Sequence, residues 1–253
     1  MEKIQIFVLT DRIIPDGYSE IYHPFYLGAN WEHTPNAYYE DSGVNIADKH
    51  EMYADLGGFY WIWKNIDADI VGISQYRKYF SSEREKKRII QSEEILFLLS
   101  QYDILVPSAW ANAHETIYEK YKNHMCIEDL EIARDILSEK YPEYLEGFDF
   151  IMNGCRMYGL NMWIARKTIF DKYCTWLFPV LEEAEHRIDW SSHSPDMKRA
   201  LAFLSEYLFS VWLLHENLRV YELPVHIVTP KGTAPDENVI RTLSATSVTG
   251  GRI

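Results

Sequence analysis

Hydrophobic and polar positions divide the chain into short buried strands and longer helices. Ile4 to Leu9 is a short, largely apolar and β-branched run that ends in Thr10 and Asp11, with Pro15 and Gly17 beyond it. That pattern predicts a buried first strand of an α/β sheet, running out into a loop. From Tyr18 to Ile46, Tyr, Asn, His, Gly and Pro recur without a sustained period, which predicts an irregular, ligand-facing segment. Asp48 to Asn65 predicts one capped helix with a thick aromatic face of Tyr53, Phe59, Tyr60, Trp61 and Trp63. Gly57 and Gly58 within it would let another backbone come close.

Ile70 to Ser74 reads as a strand buried on both faces, with Gln75 to Phe80 emerging from its carboxyl end. Ser92 to Ser100 predicts an amphipathic helix, and Tyr102 to Val106 a strand stopped by Pro107. Glu115 to Lys140 reads as helical, and Gly154 to Ala165 as a loop feeding a strand. Lys167 to Arg187, interrupted by Pro179, and Ser194 to His215 are the two long C-terminal helices. A last strand spans Val220 to Val228. The alternation predicts one α/β domain over residues 1–230, a single mixed sheet flanked by helices, and a polar tail over 231–253.

Composition narrows the function. A chain of 253 residues that is 47% hydrophobic has enough material for one large core, which excludes disorder and fibres. The formal charge of -13 disfavours a nucleic-acid binder, so an anionic ligand needs a local basic pocket. The 3 cysteines, Cys126, Cys155 and Cys174, are widely spaced and fit a reducing cytoplasm; they read as buried small apolar residues. The 9 His offer no HExxH and no paired ligand spacing, and His23, His33 and His50 read as polar loop residues. No apolar stretch approaches the roughly 20 residues that span a bilayer, and the amino terminus does not read as a signal peptide.

Four segments carry a family likeness: Tyr53-Ala-Asp-Leu-Gly-Gly-Phe-Tyr-Trp-Ile-Trp-Lys-Asn65, Asp69-Ile-Val-Gly-Ile-Ser-Gln-Tyr-Arg-Lys-Tyr-Phe80, Asn161-Met-Trp-Ile-Ala-Arg166 and Tyr173-Cys-Thr-Trp-Leu-Phe-Pro179. Together, and in this order, the chain resembles the bacterial capsular and exopolysaccharide glycosyltransferases first catalogued as a domain of unknown function, DUF4422. The characterised members of that family include galactofuranosyltransferases. The likeness covers most of Lys3 to Val225. It implies a GT-A-like, Rossmann-like fold, a UDP-sugar donor with galactofuranose as one option, and a surface-polysaccharide acceptor that could be lipid-linked. Ala47, Asp55, Gly57, Gln75, Lys78 and Tyr207 stand where the family pattern has Ser, Glu, Thr, His, Arg and Arg. Those departures leave the donor sugar open, and Ala47, Asp55, Gln75 and Tyr207 among them motivate an alternative: a catalytically silent glycan- or nucleotide-binding protein of the same fold.

The residues themselves suggest a division of labour. Ligands of open α/β sheets sit beyond the carboxyl ends of strands, where Tyr76, Arg77 and Lys78 follow Gln75. Two cations there can hold a diphosphate and stabilise it as it departs, without a metal; the alternative is a surface cationic patch. Asp67-Ala-Asp69 has the spacing of a metal-binding Asp-x-Asp, yet it precedes its strand and so belongs at the opposite edge. Metal-independent catalysis follows, with a divalent cation assembled from distant segments left as an alternative.

Sugar transfer with inversion needs a carboxylate to take the acceptor proton. Glu206, set among apolar neighbours in Phe203-Leu-Ser-Glu-Tyr-Leu208, is the first candidate; its alternative is a buried Glu paired with Arg199. Asp196, at a helix start, is the second, with first-turn helix stabilisation as its alternative. Asn45, Asp48 and Asp55 are candidates for donor hydroxyls, the first two equally suited to turns and caps, and Arg199 joins the donor set. Arg156 and Asn161 flank a loop that could meet donor or acceptor, and Trp176 could stack on a sugar unless it is a core aromatic. Arg84 to Arg88 reads as a solvated face, with contact to anionic lipid at the inner membrane face as the alternative.

Overall fold

A computed structural model describes residues 2–14, 20–83 and 88–227. The strands are β1 (Ile4–Thr10), β2 (Tyr22–Tyr26), β3 (Tyr38–Tyr39), β4 (Ile70–Gln75), β5 (Lys78–Phe80), β6 (Ile104–Pro107), β7 (Trp110–Ala111), β8 (Arg156–Met157), β9 (Trp163–Arg166), β10 (Val220–Leu223) and β11 (Val225–Ile227). The helices are α1 (His50–Tyr53), α2 (Leu56–Asn65), α3 (Ser92–Leu99), α4 (Ile117–His124), α5 (Ile127–Lys140), α6 (Leu145–Asn153), α7 (Lys167–Arg187) and α8 (Ala200–Glu216). The main sheet runs β10-β6-β9-β4-β1-β2-β3, with β5 paired to β4 and β11 to β5. Within that order β9 is antiparallel to both neighbours, so β1, β4, β6 and β10 point the same way.

Both faces are covered. Phe7, Leu9, Val71 and Ile73 face a large core shared with α2, α5, α7 and α8. Ile6, Val8, Ile70, Leu105 and Ile164 face a smaller one closed by Ile95, Leu98 and Leu99 of α3. Burial on both sides is why β1 and β4 read as apolar runs rather than alternating ones. The expected mixed sheet flanked by helices is what the chain forms.

Several expectations need correction. The segment expected to be irregular contains β2, which pairs in parallel along β1 from Ile6↔Tyr22 to Thr10↔Tyr26. Pro24 hid it; the neighbouring β3 reaches only Phe25 and Tyr26, so at Pro24 the outer side of β2 needs no donor. The predicted helix from Asp48 is broken between α1 and α2, where Ala54 takes φ 46. Gly57 and Gly58 admit side chains rather than backbone: added Cβ atoms would meet Glu40 Oε1 at 1.8 Å and Leu9 Cδ2 at 2.7 Å.

The helical stretch before Lys140 is two helices, parted at Met125 and Cys126. Pro179 does not interrupt α7: Trp176, Leu177, Phe178, Val180 and Leu181 around it are all buried. Each large side chain so buried contributes about 1.5–3 kcal/mol, and together they outweigh the ~3 kcal/mol that an interior proline costs. The helix expected from Ser194 begins instead at Ala200, after a 3-10 turn over Pro195–Met197. Pro224 divides the last strand into β10 and β11. Of the cysteines only Cys174 is buried, and Cys155 is exposed. No helix among the described residues is long and apolar enough to cross a membrane. The tail from 231 and most of the Arg84 to Arg88 run lie outside the described residues.

Candidate functional site

Thr10, Gln75, Pro107 and Leu223 end parallel strands and so mark a common carboxyl edge, at which the antiparallel β9 begins with Trp163. Because α2 leads back to the start of β4, its amino terminus also lies at this edge. The break at Ala54 therefore delivers Asp55 to the mouth of the sheet. Asp55 is the N-cap residue of α2 but makes no side-chain capping bond. Its carboxylate turns elsewhere.

Asp55 Oδ2 accepts from Asn161 Nδ2 at 3.3 Å and from Gln75 Nε2 at 3.4 Å. Gln75 also donates to the Leu160 carbonyl at 2.6 Å, and its own Oε1 accepts from Lys78 Nζ at 3.0 Å across the β4–β5 hairpin. Ser205 Oγ on α8 donates to Asn161 Oδ1 at 3.2 Å. One residue further along α8, Glu206 accepts from the Leu160 backbone N–H and stands in the fields of Lys78, Lys120 and Arg199. Its Oε2 lies so close to Gly159 that a Cβ there would meet it at 3.4 Å. Four segments thus converge: the α1–α2 break, the β4–β5 hairpin, the approach to β9 and the first turns of α8.

Backbone strain collects at the same place. Ala54, Arg77, Leu160 and Asn161 all take positive φ, at 46, 68, 74 and 44. Non-glycine residues there cost of order 1–3 kcal/mol each and persist where the surroundings over-determine them, which is common at ligand sites. Each is a member of this network or adjoins one.

Burial raises the Asp55 carboxyl, and the negative charge of Glu206 raises it further; hydrogen bonds from Asn161, its own backbone and Gln75 offset part of this, leaving it at about 7. Burial raises Glu206 as well, countered by the Leu160 N–H and by the charges of Lys78, Lys120 and Arg199. Burial lowers the Lys78 ammonium, while Glu206 and Asp55 hold its proton on. Of the two carboxyls Glu206 has the cations beside it, so it loses its proton first and Asp55 last.

The sequence candidates fare unequally. Asp55, Lys78, Asn161 and Glu206 come together, and Arg199, exposed at the head of α8 with its guanidinium 5.0 Å from the Phe203 ring centroid, reaches Glu206 by its charge. Tyr76 and Arg77 form the hairpin tip, where Arg12 sits 5.6 Å from the centre of the Tyr76 ring. Arg156 lies along the same edge but pairs with Glu222, which also accepts from Tyr158 Oη at 3.0 Å and the Ala109 N–H at 3.1 Å.

Four candidates are not brought into the network. Asn45 spends its side chain on Ser42 O, Gly43 O and the Ala47 N–H, in a loop tied to Asn65 at the far end of α2. Asp48 is exposed in a 3-10 turn that it does not cap. Asp196 is exposed in the turn before α8. Trp176 belongs to the core, stacked on Tyr144 with ring centroids 4.8 Å apart, so it forms no open wall for a sugar. Asp67 and Asp69 sit at the amino edge as expected, holding Lys3 through Asp67 O and Asp69 Oδ2, each at 2.7 Å. Gln75 and Lys120 are the residues that sequence reasoning did not assign. Gln75 was visible as a departure from the family pattern, whereas nothing marks Lys120 among the lysines of α4.

Fold and site define an α/β protein with a buried carboxylate pair and a lysine at the carboxyl edge of its sheet. Residues 5–217 match the family described as a domain of unknown function, DUF4422, and the chain belongs to that family. No curated protein matches it. Among solved structures it is similar to the apo structure of the WbbM bifunctional glycosyltransferase, with a TM-score of 0.81 and 26% identity over 90% of this chain. The chain spans 46% of the length of that protein.

Proposed function

We propose that the carboxyl-edge site transfers a glycosyl group from a nucleotide-diphosphosugar to a hydroxyl of a glycan, with inversion. The observation that carries this reading is the Asp55–Glu206 pair beside Lys78, on a chain similar to part of a bifunctional glycosyltransferase. Glu206, the first of the pair to ionise, takes the acceptor proton as the hydroxyl oxygen bonds to the anomeric carbon. The bond from that carbon to the phosphate oxygen breaks, and its electron pair leaves on the nucleoside diphosphate. Lys78 and Arg77 meet the charge that develops there.

Asp55, protonated at or below about pH 7, donates to or accepts from a sugar hydroxyl, together with Gln75 and Asn161. Lys78, in the fields of both carboxylates, supplies positive charge that a divalent cation would otherwise bring, which favours metal-independent transfer. A UDP-sugar is the donor this reading takes, UDP-galactofuranose among the candidates, and the acceptor is a growing surface polysaccharide handled at the cytoplasmic side of a membrane.

The experiment is a thermal-shift and transfer screen of sugar nucleotides, repeated with Glu206→Gln and with a strong chelator. One donor should raise the apparent stability and release its nucleoside diphosphate when acceptor is present. Glu206→Gln should keep donor binding while turnover falls about 10²–10⁴-fold, and the chelator should change neither. Transfer that survives Glu206→Gln, or binding without turnover over the whole panel, overturns the proposal.

A further inference from the structure

Outside the Asp55–Glu206 network, Cys126, Asp129 and His193 converge. Cys126 is the N-cap of α5, Asp129 stands in its first turn, and His193 comes from the connection between α7 and α8. One ligand atom from each, thiol sulfur, carboxylate oxygen and imidazole nitrogen, all lie within 4.8 Å of one another. The His193 and Asp129 side chains are 2% and 3% exposed, with Nε2 2.8 Å from Oδ2, and Cys126 is half-buried.

Two features of this cluster bear on what it can hold. His193 Nδ1 lies 3.0 Å from the Asp189 carbonyl, which can only accept, so the proton of a neutral ring belongs on Nδ1. Nε2 then presents its lone pair to the Asp129 carboxylate. A positive charge is required between them, either a second proton or a metal ion. The second feature is Tyr121, whose hydroxyl is fully buried with no hydrogen-bond partner among the described residues. Burial, with the charges of Asp129, Tyr207 and Cys126, holds its proton on, which puts it in the same neighbourhood. An imidazolium would account for the first feature but leaves the thiol and the phenol without a role.

We propose that Cys126 Sγ, Asp129 Oδ2 and His193 Nε2 bind a divalent metal ion of the zinc class, with a water on the fourth position that hydrogen-bonds to Tyr121. Thiolate, imidazole and carboxylate are a donor set for zinc rather than for magnesium or calcium. The Asp189 carbonyl is the outer partner that fixes the ring, as such carbonyls do for metal-bound histidines. Tetrahedral coordination at about 2.0–2.3 Å needs the three donors to shift by on the order of 1 Å, within the reach of side-chain rotation. Binding releases the thiol proton to solvent. The ion ties the α4–α5 junction to the loop that leads into α8. Through Tyr121, whose ring meets Tyr207 edge-on at 4.8 Å, it backs the wall that carries Glu206.

The test uses the full chain, stripped with a chelator and then titrated with Zn²⁺ or Co²⁺. Co²⁺ should bind stoichiometrically and give the intense visible bands of a tetrahedral site together with a thiolate charge-transfer band. Cys126→Ser should lose the charge-transfer band, His193→Ala should weaken Zn²⁺ binding by more than about 100-fold, and Cys155→Ser should change neither. Circular dichroism of each variant checks that it folds. No uptake of either ion by the folded parent, or a charge-transfer band that follows Cys155 instead of Cys126, overturns the proposal.

Discussion

Asp55 accepts a hydrogen bond from Asn161 at 3.3 Å across 106 residues of sequence, and this contact joins the helix break to the strand that runs against the sheet. Asn161 is buried, holds φ 44 and also touches Ala202 O and Ser205 Oγ. Asn161→Ala should therefore destabilise through two routes: about 1–3 kcal/mol for polar partners left unsatisfied, and about 1–2 kcal/mol for a Cβ-bearing residue without the local bonding of Asn in the left-handed region. Asn161→Gly removes the second cost. Urea unfolding of both variants reads the difference, and equal stability of the two would mean that the backbone there is not strained. Both should raise the Asp55 carboxyl above about 7, since a donor to its charged form is lost; carboxyl carbon titration by NMR follows it.

Lys78 stands in the fields of both carboxylates and donates to Gln75 at 3.0 Å, and the proposed transfer sets it against the departing diphosphate. Its charge lowers the Glu206 carboxyl, so Lys78→Met should move the acid limb of kcat/KM to higher pH, because Glu206 then holds its proton longer. The rate itself should fall about 10²–10³-fold, the loss typical of one donor aimed at developing charge. The pH profile separates the two effects. A slower enzyme with an unmoved acid limb would place Lys78 on the leaving group alone.

What could be read from the sequence had a physical pattern behind it. Strands β1, β4 and β6 were legible because burial on both faces demands apolar runs, and α7 because its apolar stripe survives Pro179. Strand β2 was not, since His23 and Pro24 interrupt it and its support comes from β1. The break at Ala54 was invisible: apolar residues continue on either side, and what turns the chain is the set of partners that Asp55 finds at Gln75 and Asn161. Glu206, Asp55 and Lys78 could be named individually, by a charge among apolar neighbours or by position after a strand. Their meeting is tertiary information. Trp176 was open to both readings because a ring that suits a sugar also suits a core.

Asp55 should make stability fall as pH rises. Its carboxyl sits at about 7 when folded and near about 4 when unfolded. Between those values the folded chain binds the extra proton, so the contribution is complete below about pH 4 and is lost through about pH 7. Asp55→Asn keeps the shape and removes the titration. The variant should match the parent near pH ~4 and exceed it in unfolding free energy at about pH 8. Denaturant curves at the two pH values decide it; a variant no more stable than the parent at the higher pH would show that the carboxyl is not forced to ionise against its surroundings.

Gly57 and the fully buried Glu40 form a pair whose coupling can be measured. Glu40 Oε2 accepts from the Gly28 N–H at 2.6 Å and lies 2.8 Å from His50 Nδ1, while its Oε1 occupies the space a side chain at position 57 would need. The buried glutamate can sit where it does because position 57 carries no side chain. Gly57→Thr should cost about 1–3 kcal/mol or more through overpacking, and Glu40→Ala about 1–3 kcal/mol through the stranded N–H and imidazole. In the double variant the added side chain enters the volume that the glutamate vacates, so the total should fall short of the sum by about 0.5–3 kcal/mol. Thermal unfolding of the four proteins closes the cycle, and strictly additive costs would mean that the chain relieves the 1.8 Å approach in some other way than by moving Glu40.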